Sequence, residues 1–459
     1  MIEQIYTNCL FQASYYIESK GEVAIVDPLR DTEQYIEKAK KTNSKIKYIF
    51  ETHIHADFVS GHITLSRQTK APIVYGPKAI LGFNCIVAHD DQKFTVGDLT
   101  IQIIHTPGHT IESTCLLIKN KENKEFAILT GDTLFLGDVG RPDLSHFRKE
   151  NSYTKFELAE MLFKSLRDKI MPLNDDIIIY PGHGAGSACG KNMMNITYDT
   201  LKNQKKVNYA LRSNMTQSEF INEVTFGLEK PPEYFPMNVE MNQYGYKDLN
   251  DVIKNSMKLL NPKEFDQIAK KENTIILDVR HQNDFVKGHI PGSIFIGLNG
   301  SFAPWVGSLI KNVNTQILIV SPKNKEQETI LRLSRVGFDN VVGFLKGGFK
   351  SWNKKINYIE SLDVEDIIKE KNKNLYIDVR AKNEFDNDHI DEFVNSPLTE
   401  LETNINKFKN SRETIYINCA GGYRSVIAIS ILKKYGINNT IDIKGGYPPH
   451  SKICIRHRQ

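Results

Sequence analysis

In the first half of the chain the apolar positions fall in short, closely spaced runs. They are Val23-Ala24-Ile25-Val26, Tyr48-Ile49-Phe50, Leu99 to Ile104, Phe126-Ala127-Ile128-Leu129 and Ile177-Ile178-Ile179-Tyr180. Runs this short, bounded by polar and turn-forming residues, predict β-strands. Helical spacing intervenes from Glu33 to Lys41. Histidines and aspartates sit just past several predicted strand ends, where loops can converge at one end of a sheet.

The second half repeats itself. Leu277-Asp278-Val279-Arg280 recurs as Ile377-Asp378-Val379-Arg380, Gly288-His289-Ile290 as Asp388-His389-Ile390, and Lys346-Gly347-Gly348 as Lys444-Gly445-Gly446. Similar spacing of three separate elements marks a tandem of two related domains. Each copy opens with an apolar strand ending in Asp-Val-Arg. Each carries a later strand, Gln316–Val320 or Thr414–Asn418, followed by a helical pattern. Strands alternating with helices predict parallel sheets covered on both faces. Pro231, Pro232 and Pro236 precede Tyr244-Gly245-Tyr246 and mark a connection between the halves. The domains are read as 1–240, 258–356 and 357–459, with a linker over 241–257.

Length and composition agree with several soluble domains: 459 residues, 40% hydrophobic and 25% charged. The net charge is only +4, with no block of like charge and no basic stripe interleaved with aromatics. Nucleic acid is therefore not an expected partner. The N-terminal residues lack a signal-like apolar run, and no stretch is long enough to span a bilayer, so no membrane partner and a cytoplasmic location are expected. Cys9, Cys85, Cys115, Cys189, Cys419 and Cys454 are scattered without a CxxC pair, as reduced thiols would be.

The densest chemistry lies in Thr52-His53-Ile54-His55-Ala56-Asp57-Phe58. It reads as the metal-binding pattern HxHxDH with its last histidine replaced by phenylalanine, which has no lone pair to offer. Three further segments supply donors after predicted strands: His109 in Thr106-Pro107-Gly108-His109-Thr110, Asp132 in Thr130-Gly131-Asp132-Thr133, and His183 in Tyr180-Pro181-Gly182-His183-Gly184. Imidazole and carboxylate together suit iron, zinc or manganese. Loss of the Phe58 ligand points to chemistry at one metal rather than two.

This motif set resembles the metallo-β-lactamase superfamily in its glyoxalase II-like branch, over about residues 1–240. The stretch from His53 to Gly61 is most similar to persulfide dioxygenases fused to rhodanese domains. The resemblance implies an αββα sandwich and one Fe(II) per chain, with zinc as the alternative occupant. Carried over by position, the ligands are His53, His109 and Asp132, a set that leaves coordination positions free for substrate and dioxygen. His55, Asp57 and His183 then orient ligands or bound water; spacing alone leaves His55 open as a fourth ligand. Arg141, in Gly140-Arg141-Pro142-Asp143, matches a conspicuous family arginine and is read as stabilising the site or holding an anionic substrate group, with an ordinary ion pair as the alternative. Cys189 lies six residues after His183 among small neighbours; it is read as a thiol that carries sulfur or gates substrate, or as a small packed residue.

Cys419-Ala420-Gly421-Gly422-Tyr423-Arg424-Ser425 follows a strand and precedes a helix. Backbone N–H groups of such a loop can surround a sulfur, and the helix start adds positive potential; both favour thiolate and persulfide. Here both repeats resemble rhodanese sulfurtransferases. Cys419 is the implied nucleophile, with Ala420, Gly421, Gly422 and Tyr423 lining the substrate and Arg424 adding charge at the rim. Asp378 and Arg380 are read as braces. The first repeat has Ser321-Pro322-Lys323-Asn324 in place of this loop. A hydroxyl forms no stable persulfide, so 258–356 is read as an inactive copy.

The fold class is thus multidomain α/β: a metallo-β-lactamase sandwich followed by two rhodanese-like domains with parallel sheets. The resemblance implies oxidation of a low-molecular-weight thiol persulfide by O2 to sulfite, and conversion of sulfite to thiosulfate through a Cys419 persulfide. The reverse use of thiosulfate at Cys419 stays open. Related fused enzymes are often oligomers, which extends the expectation to a homo-oligomer. The alternatives are a glyoxalase II-like thioester hydrolase and a non-enzymatic persulfide carrier or sensor.

Overall fold

The computed structural model describes residues 1–144, 153–363 and 374–446. Cys454 and the end of the last predicted domain lie outside the described residues. The chain divides into two compact units: residues 1–251 with 333–337, and residues 252–332 with 338–459. The predicted edge at 240 falls inside the helix Phe235–Tyr244, and the helix Leu249–Ser256 occupies much of the predicted linker.

In the first unit the short apolar runs form two six-stranded sheets. One takes its strands in chain order: Ile2–Thr7, Gln12–Ser19, Glu22–Val26, Lys45–Glu51, Ile73–Tyr75 and Ile86–Val87. Its first two pairings are antiparallel and the rest parallel. The other runs Asp199–Thr200, Ile178–Pro181, Glu125–Gly131, Thr114–Lys119, Leu99–His105 and Lys93–Val96. Side chains alternate across a strand, and one face of each sheet meets the other. Tyr15, Val26, Phe50 and Val74 pack with Ile101, Ile103, Leu116, Ile118 and Leu129 in a shared core. Helices cover the outer faces. Tyr35 and Ala39 of Glu33–Lys41 pack over the first sheet, and Ala159, Leu162 and Phe220 join a second cluster over the other. The result is the expected αββα sandwich.

Why the metal-motif residues meet follows from this topology. Strand Lys45–Glu51 delivers His53, strand Leu99–His105 leads to His109, Glu125–Gly131 to Asp132, and Ile178–Pro181 to His183. The parallel pairing of Glu125–Gly131 with Ile178–Pro181 puts the last two at the same end of one sheet.

The second unit holds two five-stranded parallel sheets of equivalent order. The first is Leu259–Leu260, Val341–Leu345, Gln316–Val320, Thr274–Asp278, Ile294–Phe295; the second is Glu360–Leu362, Thr440–Ile443, Thr414–Asn418, Asn374–Asp378, Val394–Asn395. Parallel strands need covered faces, which is why they read as continuous apolar runs. The repeated motifs make repeated contacts. Arg280 grips Asp278 and donates to the Gly288 carbonyl at 2.8 Å; Arg380 grips Asp378 and donates to the Asp388 carbonyl at 2.8 Å. His289 stacks on Phe285 and His389 on Phe385, with ring centroids 4.0 and 3.9 Å apart. Among the described residues no helix is long and apolar enough to cross a membrane.

Candidate metal centre and cysteine loop

His53, His109 and Asp132 are all buried, and one donor atom from each lies within 4.8 Å of the others. The Asp132 Oδ2 atom is 3.5 Å from His109 Nε2 and 3.9 Å from His53 Nε2. Each ring is set by the hydrogen bond at its other nitrogen. His109 Nδ1 donates to the Arg141 carbonyl at 2.9 Å. Thr52 Oγ1 donates to Asp27 Oδ2 at 2.9 Å and so is free to accept from His53 Nδ1 at 3.0 Å. Both rings therefore turn an Nε2 lone pair inward. Burial lowers the affinity of both histidines for a proton. Asp132 Oδ2 is buried and has no hydrogen-bond partner. Two neutral imidazoles facing an orphaned carboxylate oxygen fit a divalent cation and leave a buried group unsatisfied without one.

His183 bridges the other side of this carboxylate. Its Nδ1 lies 2.7 Å from Asp132 Oδ1 and its Nε2 2.8 Å from Asp57 Oδ2. Burial alone would lower its pKa, but the two carboxylates outweigh it and raise the value to about 10. Held between these two carboxylates, His183 occupies Oδ1 of Asp132 and leaves Oδ2 turned to the cluster. Burial works against ionisation of Asp132, but the three histidines hold it well below the usual carboxylate range.

His55, open as a fourth ligand on spacing alone, turns away. Its Nε2 lies 3.1 Å from Asp27 Oδ1 and 3.4 Å from Glu51 Oε2. Phe58 is fully buried with its ring centroid 4.4 Å from that of His55. The position that supplies imidazole in the full motif thus packs as an apolar plate. Asn242, from the helix Phe235–Tyr244, clamps this turn. It donates to the carbonyls of His55 and Phe58 at 2.8 and 2.7 Å and accepts from Ser60 N at 2.8 Å. Sequence reasoning missed Asn242, Asp27 and Thr52. Thr52 adjoins the motif, but nothing local marks Asn242, which follows Phe58 by 184 residues.

Arg141, expected to stabilise the site, to hold a substrate anion or to form an ordinary ion pair, is found paired with Asp143. Its guanidinium is bidentate to Asp143 and donates to the carbonyls of Ala188 and Glu229, so all three nitrogens are engaged. Arg141 acts through its backbone, whose carbonyl orients His109. The preceding Gly140 is required by close approach: a Cβ there would lie 2.0 Å from the Asp132 carbonyl oxygen and 2.9 Å from His109 Nδ1. Cys189 is buried with its sulfur near Asp57 and His183, and burial pushes its thiol pKa well up.

In the second unit, Cys419 directly follows the strand Thr414–Asn418, and the helix Tyr423–Lys434 starts four residues later. The Gly422 N–H donates to Cys419 Sγ at 3.1 Å. Gly422 has φ +75°, a conformation that glycine adopts without steric cost. Ala420 and Gly421 are exposed above the buried sulfur. Arg424 forms a two-pronged pair with Glu384, both partners part-buried, so its charge beside the loop is fixed rather than mobile. The Tyr423 hydroxyl donates to the Gly297 carbonyl at 2.7 Å.

The sandwich matches the family description "Metallo-beta-lactamase superfamily" over residues 7–183. The chain is also 30% identical over 211 residues to the probable hydroxyacylglutathione hydrolase glo2 of Schizosaccharomyces pombe, covering 45% of this chain and 74% of that one. The chain belongs to the metallo-beta-lactamase superfamily. This superfamily member carries two rhodanese-like domains as well, matched at residues 261–355 and 362–450. The cytoplasmic hydroxyacylglutathione hydrolase of Arabidopsis thaliana is 34% identical over 175 residues, 37% of this chain and 62% of that one. A crystal structure of a metallo-beta-lactamase from Staphylococcus aureus subsp. aureus COL aligns with 28% identity and TM-score 0.66, covering 75% of this chain and 98% of that chain.

Proposed function

We propose that the protein oxidises a low-molecular-weight thiol persulfide with O2 at a single Fe(II) site and transfers sulfane sulfur at Cys419. The observation that carries the reading is Phe58. It packs against His55 where the full motif has a ligand, while His53, His109 and Asp132 keep their donors together. Bound Fe(II) would supply adjacent coordination positions at which persulfide and O2 meet. The chain itself sets both imidazole tautomers through Arg141 and Thr52, and it fixes His183 between Asp132 and Asp57. The overall change is RSSH + O2 + H2O → RSH + sulfite + two protons. At the second site, the Cys419 thiolate attacks the outer sulfur of a second RSSH, whose S–S bond breaks to release RSH and leave a Cys419 persulfide; sulfite then attacks its outer sulfur, the new S–S bond breaks, and thiosulfate and the Cys419 thiolate result. The first product is the acceptor of the second step, which gives the fusion a chemical reason. In this reading the protein serves sulfide detoxification.

The test is oxygen uptake by anaerobically Fe(II)-loaded protein on addition of a low-molecular-weight persulfide. Rapid uptake that is lost in Asp132→Ala is expected. No uptake with confirmed iron occupancy would overturn the proposal.

A second reading is thioester hydrolysis, which the names of the curated relatives favour. Asp57, His183 and Cys189 place three further donor atoms within 4.8 Å of one another. Two tightly bound metals per chain and cleavage of a hydroxyacylglutathione thioester would support it. Phe58 and the rhodanese-like domains weigh against it.

A further inference from the structure

The inactive repeat touches the competent one at the cysteine loop. Its edge strand Ile294–Phe295 lies against the helix Tyr423–Lys434 that follows Cys419: the Phe295 N–H donates to Ser430 Oγ at 3.0 Å. An exposed strand edge would leave that N–H to solvent or to another strand; here a helix side chain takes it up. The Phe295 and Tyr423 rings meet edge to face at 5.5 Å. The Tyr423 hydroxyl donates to the Gly297 carbonyl, and Tyr423 is the residue after Gly422, whose N–H points at the Cys419 sulfur. The acceptor segment is itself held. Arg332, from the helix Glu326–Ser334 after the degenerate Ser321 loop, donates to the carbonyls of Leu298 and Gly300 at 2.6 and 3.3 Å. Gly300 lies so close to the Tyr423 ring that a Cβ there would be 2.5 Å from Cζ.

We infer that Tyr423 is a positioning residue, and that the inactive repeat uses segment 297–300 as a latch holding the Cys419 loop in its sulfur-binding shape. The inference rests on the sulfur-transfer reading of Cys419. It gives the degenerate repeat a role: it has lost the thiol but retains the helix whose Arg332 stiffens the latch. The physical logic is preorganisation. A single N–H aimed at a sulfur from a glycine in the left-handed region keeps its direction only if the neighbouring residue is fixed. Tyr423 supplies that fixing through one hydrogen bond and one ring contact, both made to the other repeat.

The test uses the full chain. Tyr423→Phe keeps the ring and removes the hydrogen bond; Gly300→Ala leaves the loop sequence intact and wedges the ring from the other repeat. Thiosulfate serves as donor and cyanide as acceptor for sulfur transfer. Alkylation of Cys419 by iodoacetamide against pH, followed on the peptide that contains it, reports thiolate independently of turnover. Each variant is expected to lower the sulfur-transfer kcat about 5- to 20-fold with little change in KM, and to move the Cys419 alkylation midpoint to higher pH. The double variant should cost little more than either single one, because both break one latch. Thermal unfolding shows whether each variant is folded. Folded variants with wild-type kcat and an unmoved alkylation midpoint would overturn the latch. A wild-type protein with no sulfur transfer would instead sink the sulfurtransferase reading, and the alkylation profile would still decide the latch.

Discussion

His53 faces the cluster with the correct nitrogen only because two other side chains dictate its tautomer. The Thr52 hydroxyl donates to Asp27, and the same oxygen then accepts from His53 Nδ1. Removing that relay leaves a buried carboxylate oxygen and a buried ring N–H without partners, and the ring free to present the wrong atom. Thr52→Val, nearly equal in volume, is expected to weaken metal binding about 10- to 100-fold with the fold retained. Competition against a chelator measures it, and unchanged affinity would remove Thr52 from the site. The same logic explains Arg141. Its charge is neutralised by Asp143, so its importance lies in a carbonyl aimed at His109.

The paired elements of the two repeats show how one motif takes different burial. His289 and His389 both stack on a phenylalanine four residues earlier. His289 is buried, whereas His389 is exposed. Burial lowers the His289 pKa from 6.5 to about 4. The unfolded chain therefore binds a proton between those values that the folded domain refuses. The corresponding stability is present in full above pH 6.5 and is lost as pH falls through 4. Across that window the loss is about 3 kcal/mol. Denaturant unfolding of the full chain at pH 7 and pH 4.5 should show a steeper acid loss in wild type than in His289→Gln. Parallel losses would remove His289 as the cause. The Asp-Val-Arg elements, by contrast, make matched contacts in both copies. Each arginine ties its strand end to a carbonyl eight residues on.

At the scale of the whole molecule, the two proposed chemistries share one chain, and their products separate them. If sulfite from the metal site is consumed at Cys419, Cys419→Ser should leave persulfide-dependent oxygen uptake within about twofold of wild type. The product should change from thiosulfate to sulfite. The Ser321 copy predicts this outcome, since a hydroxyl in that place carries no sulfane sulfur. Thiosulfate formed undiminished by Cys419→Ser would show that the two sites are uncoupled. Product analysis by chromatography under limiting oxygen distinguishes these results.

Much of this architecture was legible in the sequence for identifiable reasons. Short apolar runs spelled out the sandwich strands, because buried strands exclude polar residues. The repeated Asp-Val-Arg, His-Ile and Lys-Gly-Gly elements exposed the tandem, because each makes the same local contacts in both copies. His53, His109 and Asp132 stood out because each follows a strand, and Phe58 because it interrupts a metal-binding pattern. Only the tertiary structure decided which way the rings face and which charges are already paired. His55 belongs to Asp27 and Glu51, Arg141 to Asp143, Arg424 to Glu384, and Tyr423 to Gly297. Those pairings depend on distances across the fold, and linear order does not carry them. Residue type and spacing determine what chemistry a segment can offer. Three-dimensional packing determines which lone pair or proton remains free to perform it.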